Sequence, residues 1–288
     1  MSRRFFAPPY SLYPYTVAML MRFAGKGNIV SGRAWILAAV LAAAVIALWL
    51  GLGQQRGYLP SGAIDITKIL QAAPRKGDAR YAADRRIFIA TRHWLGTPRG
   101  DLATRDVRFD PASMFAAYSC ALGVSLTPDT APNTTTLLGK AGIDTATQSG
   151  AAKNYFKRDR PFLIDKGQVC EPIEDFKGSY DYPSGHTTMG WTWALLLADL
   201  APDRSTAILA RGRAYGESRI VCGAHNASAV DAGRATAAAT LAVDLAQPDF
   251  RADLAAARAE LAALRADPAT PKPRNCAAEA ALISKPIL

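Results

Sequence analysis

The sequence predicts an all-α protein, a single helical domain behind a hydrophobic N-terminal leader. Three observations carry that reading. Half of the 288 residues are hydrophobic, and alanine, the best helix former, is abundant among them. Few runs alternate apolar and polar residues with the period of two that a half-buried strand requires. No internal repeat and no internal boundary interrupts the chain after the leader. The leader is placed at 1–56 and the domain at 57–288, which is long enough to bury a sizeable apolar core.

The leader is read first. Ala34 to Gln55 carries no charge, and Trp35 through Leu50 is strongly apolar. A run of roughly 20 such residues can span a bilayer. Arg3, Arg4, Arg22, Lys26 and Arg33 precede it with no acid among them, which leaves the rest of the chain outside the cytoplasm. The segment is expected to be a signal peptide or a retained membrane anchor, and membrane contact is expected only through it. The formal charge of +10 does not point to nucleic acid. Six of the 34 basic residues precede the first acid, Asp65, leaving 28 against 24 acidic residues. No nucleic-acid partner is expected, and a homo-oligomer is left open.

The elements follow from punctuation. An extended entry covers 57–68. Tyr81, Ile87, Phe88 and Trp94 among charges predict a helix from Lys76 to Leu95, broken by Gly96-Thr97-Pro98. A short helix over 101–109 is expected, then one from Pro111 to about Leu126 and a Pro- and Thr-rich loop at 127–133. Thr134 to Arg158 reads as one long helix, because Pro161 disfavours helical geometry at the residue before it. A connecting loop covers 162–182. Ser184 is placed as the N-cap of a helix running to Ala201. The next helix runs from Asp203 or Ser205 to about Gly216. Another contains His225 and continues to Ala246. A last helix starts at Pro248, and the Pro-rich tail from Asp267 is read as irregular.

Four cysteines in an exported chain, none with CxxC spacing, predict two disulfides rather than zinc. Three pairings are formally open. Cys170–Cys222 is preferred because both flank the proposed site, and Cys120–Cys276 would then tie down the tail.

The chemistry concentrates around Pro183-Ser184-Gly185-His186. A serine-capped helix start, with Gly185 allowing close approach, forms an anion pocket from free backbone N–H groups. His186 stands at its rim. Lys153 and Arg160, seven residues apart, fall on one side of a helix, and an arginine before a proline suits oxyanion binding. Downstream lie Arg219 and His225. The third histidine, His93, sits beside Trp94 on an apolar stretch and is read as a capping or core residue.

These residues resemble the bacterial class A nonspecific acid phosphatases of the PAP2 superfamily, whose site is shared with vanadium haloperoxidases. The family pattern is Lys-x6-Arg-Pro, Pro-Ser-Gly-His and Ser-Arg-x5-His-x3-Asp. Here it reads Lys153-x6-Arg160-Pro161, Pro183-Ser184-Gly185-His186 and Ser218-Arg219-x5-His225. The likeness covers about 70–265. It implies a helical bundle and a periplasmic, metal-independent phosphomonoesterase of broad specificity. His225 would be the nucleophile that becomes a phosphohistidine. His186 would protonate the leaving group. Lys153, Arg160, Arg219 and the backbone of Ser184 and Gly185 would hold the phosphoryl oxygens. No cofactor is implied, and vanadate is expected to inhibit as a phosphate mimic.

One position departs from the pattern. The final Asp, which orients the nucleophilic histidine, is replaced by Ala229. Asp231 is a poor substitute, because on a helix a residue six positions on lies about 120° off the same face. Asn226, Ser228, a backbone carbonyl or a loop carboxylate could take over. The alternatives to an active phosphatase are a vanadate-dependent haloperoxidase and a weakly active or inactive phosphate-binding relative.

Overall fold

The computed structural model describes residues 56–287. The predicted apolar segment 34–55 and the rest of the leader before Arg56 lie outside the described residues. Among the described residues the regular structure is entirely helical, as the composition predicts, and no helix is long and apolar enough to cross a membrane.

The first helices build one side of the domain. α1 spans Ala79–Thr91 and passes into a 3-10 turn at Arg92–Trp94. α2 spans Pro98–Arg105, earlier than expected. Thr97 caps it by accepting from Gly100 N, and Pro98 stands at the first helical position, where its missing N–H costs nothing. The stretch Gly96-Thr97-Pro98 thus breaks the preceding helix as expected, and its last two residues also start the next one. α3 spans Pro111–Leu122, capped by Asp110, and ends at Gly123 in the left-handed region.

α4 spans Pro132–Phe156 and stops because Lys157 turns left-handed, with φ of 46°. Arg160 is therefore not on the helix that carries Lys153. It caps the single-turn α5, Pro161–Ile164, with extended backbone. The loop that follows holds only a 3-10 turn at Ile173–Phe176. α6 spans Gly185–Leu200, and Ser184 is its N-cap, accepting from Thr187 N.

α7 spans Ser205–Cys222 and runs about 1.7 turns past the predicted end at Gly216. A Cβ on Gly212 would sit 2.4 Å from that of Ala194, and one on Gly216 would sit 2.9 Å from the Thr187 methyl. Both glycines let α7 lie close against α6 instead of ending the helix. The true stop is Gly223, left-handed at φ of 83°. α8 spans Ala227–Asp244 with Asn226 as its cap residue, so His225 precedes the helix rather than lying within it. α9 spans Pro248–Ala266.

The tail is not irregular throughout. α10 spans Cys276–Ser284. It is anchored by the Cys120–Cys276 disulfide to α3, by Arg213 Nη2 donating to Ile283 O, and by Trp94 Nε1 donating to Ile287 O. These long-range ties are invisible to local sequence pattern.

α6 is central, packed against α4, α7 and α8. Its buried face, with Trp193, Leu197 and Leu200, meets Phe115, Tyr118, Leu138, Ile208, Tyr215, Phe250 and Leu261 in the main core. Each such side chain stabilises the fold by roughly 1.5–3 kcal/mol. This core holds the N-terminus of α6 and the C-terminus of α7 at the same end of the domain, where the chemistry sits.

Candidate active site

The start of α6 opens into a cleft of about 490 Å³, lined among others by Ser149, Lys153, Arg160, Gly185, His186, Arg219 and His225. Every predicted site residue except Ser184 lines it. Ser184 is fully buried and committed elsewhere. Its hydroxyl accepts from Thr187 N and contacts the Thr187 hydroxyl, and its amide donates to Ala229 O at 2.9 Å. The expectation that the Ser184 backbone holds a phosphoryl oxygen is therefore corrected. The amides without an intrahelical acceptor at this terminus belong to Gly185 and His186.

Arg219 lies on the last turn of α7 and is wholly buried. One Nη2–H donates to Glu171, next to the Cys170–Cys222 disulfide. Its Nε and Nη1, with the hydroxyl of Ser149, find no partner among the described residues. Buried polar groups are normally satisfied, so unpartnered donors at a cleft mark a place for a ligand that accepts. Ser218 does not reach the cleft. It donates to Asp106 at 2.6 Å and accepts from Arg99, and Asp106 also pairs with Arg211. That buried network fixes the turn that presents Arg219.

Lys153 donates to Tyr180 O, and burial, reinforced by Arg160, lowers it to about 7. Arg160 is gripped on several sides. Its Nε donates to Ser179 O at 2.9 Å, its Nη2 to the Ser179 hydroxyl, and its Nη1 to Ala224 O. The guanidinium also lies 4.3 Å from the centre of the Phe176 ring. Lys153 and Arg160 thus converge as predicted, but through the loop 165–182 and not through a shared helix face.

The two histidines differ in their partners. His225 is 2% exposed, and its Nδ1 lies 3.0 Å from Asp181 Oδ1 while its Nε2 lies 3.1 Å from Arg160 Nη1. Burial, reinforced by Arg160 and Lys153, holds its pKa well below the usual imidazole value. It is a neutral base with its lone pair toward the cationic wall. His186 donates from Nε2 to Val107 O at 2.9 Å, and its ring meets Phe109 edge to face. Burial and Arg219 depress its pKa likewise. A dianion in the cleft would offset those cations and favour the protonated form.

Residues 134–251 match the PAP2 superfamily. The chain is 39% identical over 212 residues to an acid phosphatase of Zymomonas mobilis, covering 73% of this chain and 80% of that protein. It is 35% identical to a non-specific acid phosphatase of Providencia stuartii, covering 71% and 84%. It is 32% identical to one of Salmonella typhimurium, covering 71% and 83%. The chain belongs to the PAP2 superfamily.

All the clustered residues from Lys153 to His225 fall inside the PAP2 match. The motif reading did not name four residues that line or back this cleft. Glu171 and Ser149 touch or neighbour the Arg219 slot, and Phe109 flanks His186. Asp181 backs His225 from the loop before Pro183. Only Asp181 carried a signal, as an acid two residues before the Pro-Ser-Gly-His motif.

Both disulfides pair as expected, Cys170 with Cys222 and Cys120 with Cys276. His93 lies away from the cleft, exposed, with Nδ1 2.6 Å from Ala90 O. Asp231 is exposed and pairs with Arg234, so it does not support His225.

Proposed function

We propose that this protein is an exported acid phosphatase that hydrolyses phosphate monoesters through a phosphohistidine at His225. The observation that carries the reading is that His225, its Nε2 lone pair facing Arg160, lines the same cleft as Arg219, whose buried Nε and Nη1 are unpartnered among the described residues. A phosphoryl group fits between a lone pair and a set of donors. The names of the three relatives support the substrate class.

In this reading the phosphoryl oxygens take the Gly185 and His186 amides, Arg219, Lys153 and Arg160. His225 Nε2 attacks phosphorus as the ester P–O bond breaks. The resulting imidazolium keeps its Nδ1–H on Asp181. The leaving oxygen takes a proton from His186, whose Nε2–H is held by Val107 O and whose Nδ1 is the nitrogen left for the substrate. Water then gives a proton back to His186 and attacks phosphorus, the P–N bond breaks, and phosphate leaves. Phosphoryl transfer needs mainly positioning and charge stabilisation, which three fixed cations and a helix N-terminus supply without a cofactor. Vanadate should compete for the same slot.

Two disulfides and an apolar leader support export to the periplasm, with the chain free or held to the inner membrane. The test is hydrolysis of p-nitrophenyl phosphate in EDTA by the full chain and by His225→Ala. EDTA-resistant activity that His225→Ala abolishes supports the reading. A full chain no faster than His225→Ala would defeat it.

A further inference from the structure

We infer that Asp181 is the positioning residue for His225, and that position 229 has become a packing position that no longer accepts an acid. The inference rests on the reading of His225 as nucleophile.

The carboxylate of Asp181 is completely buried and both its oxygens are engaged. Oδ1 accepts from His225 Nδ1 at 3.0 Å and from Asn226 N at 3.1 Å. Oδ2 accepts from Asn226 Nδ2 at 2.8 Å and lies 3.4 Å from Arg158 Nη1. Donors from three directions leave the group one orientation. The backbone is held too, since Asp181 N donates to Arg158 O. Arg158 is fixed in turn by Asp84, which also accepts from Ser228 N and the Ser228 hydroxyl. A network of this kind, satisfied at each contact with the carboxylate, holds an imbedded imidazole in one tautomer.

The neighbouring residues explain why the acid cannot be at 229. Tyr182, one residue on, is 1% exposed, and its hydroxyl donates to Gln71 O. It belongs to a buried apolar cluster with Ile66, Leu70, Ala152, Ala229 and Ala232. Ala229 therefore faces apolar neighbours, and its carbonyl accepts from Ser184 N. A carboxylate at 229 would enter that cluster while His225 Nδ1–H is already taken. The pair Asp181-Tyr182 thus supplies both the acid and the aromatic that packs beside the alanine.

The experiment measures kcat, KM and His225 ring-proton signals by NMR for the full chain, Asp181→Asn, Ala229→Asp and the double variant. Asp181→Asn should lower kcat on the order of 10²- to 10⁴-fold, as when another histidine nucleophile-activator loses its carboxylate, with KM changed less than about threefold. It should also erase the downfield Nδ1 proton signal of His225. Ala229→Asp should give no gain in kcat and a lower Tm. The double variant should not recover more than about threefold over Asp181→Asn. Asp181→Asn with kcat within about threefold of the full chain, while His225→Ala is inactive, would overturn the inference, as would a faster Ala229→Asp. If no variant hydrolyses the ester, the function reading fails, and the NMR signal still decides: presence in the full chain with loss in Asp181→Asn upholds Asp181, and absence from the full chain overturns it. If Asp181→Asn does not fold, the full-chain signal decides in the same way.

Discussion

Arg160 Nη1 lies 3.1 Å from His225 Nε2. A guanidinium has only donors, so the imidazole nitrogen facing it must present its lone pair. That leaves the proton on Nδ1, where Asp181 accepts it. The two contacts fix one tautomer without reference to any other protein, and the tautomer is the one that a nucleophilic Nε2 requires.

Arg160→Lys tests the guanidinium side. Lysine keeps the charge but cannot reach Ser179 O, the Ser179 hydroxyl, Ala224 O and Nε2 together. We expect kcat/KM to fall on the order of 10²- to 10³-fold with a normal far-UV spectrum. Steady-state kinetics at saturating and limiting p-nitrophenyl phosphate would check it, and a loss under fivefold would speak against Arg160 at the phosphoryl group.

The pH profile follows from two buried groups. Burial lowers Lys153 to about 7, helped by Arg160 and Arg219 and opposed by Asp181, so it is cationic below that pH. Burial raises Asp181 to about 6, against Arg158, Asn226 and Lys153, so it is an acceptor for His225 only above that pH. The free enzyme's kcat/KM should therefore fall below about pH 6, where Asp181 gains a proton, and again above about 7, where Lys153 loses its charge, with the depressed His186 adding a further loss as pH rises. Lys153→Arg should move the alkaline limb upward. A profile that is flat across this range would contradict the assignment.

Gly185→Ala separates the slot from the fold. A Cβ there would lie 3.8 Å from Lys153 Cε and from the Ser149 hydroxyl, an ordinary contact distance but inside the cleft. Helix propensity alone favours alanine by about 0.5–1 kcal/mol. We expect an unchanged or raised Tm together with a loss of about 10- to 100-fold in kcat/KM. Activity retained at the full level would place the phosphoryl group elsewhere.

Asp244 predicts a pH-dependent stability unconnected with catalysis. It is fully buried on α8, both oxygens lack a partner among the described residues, and burial plus Asp144 raises it to about 7. Between its unfolded value of 3.8 and about 7 the folded state keeps a proton that the unfolded chain releases. Stability should thus be full below pH 4, fall as pH rises, and level off above about 7. Asp244→Asn should raise Tm near neutrality and change it little near pH 4. Thermal denaturation at both pH values reads this directly, and equal shifts at both would refute the cause.

The disulfides should separate by function. Cys170–Cys222 ties the loop carrying Glu171, Ser179 and Asp181 to the end of α7, and Cys170 N donates to Cys222 O. Cys120–Cys276 ties only α10 to α3. Removing either should cost on the order of 2–4 kcal/mol. Only the double change Cys170→Ala with Cys222→Ala should also lower kcat, which assays below both melting temperatures would reveal.

Much of the site was legible because its residues stand in short local patterns. Lys153, Arg160, Gly185, His186, Arg219 and His225 meet in one cleft, although Lys153 and Arg160 reach it by separate elements. The errors came from glycine and proline read without tertiary context. Gly216 looked like a helix stop but makes room for Thr187, and Pro98, which follows the expected break, also opens α2. Asp181, although visible as an acid before the motif, could not be tied to His225 for a related reason. It reaches His225 across 44 residues through a loop whose path depends on Arg158, and no periodicity encodes that. The helix at Cys276–Ser284 depends on a disulfide and on Arg213, both remote in sequence.

The most direct test of the central claim is rapid acid-free quenching of the full chain with a phosphate monoester, followed by peptide mapping. The account predicts phosphate on His225 within one turnover, accumulation in His186→Ala if water activation is slowed, and none in His225→Ala. Turnover in the full chain with no phosphate on the His225 peptide at any quench time, or equal turnover in His225→Ala, would contradict it.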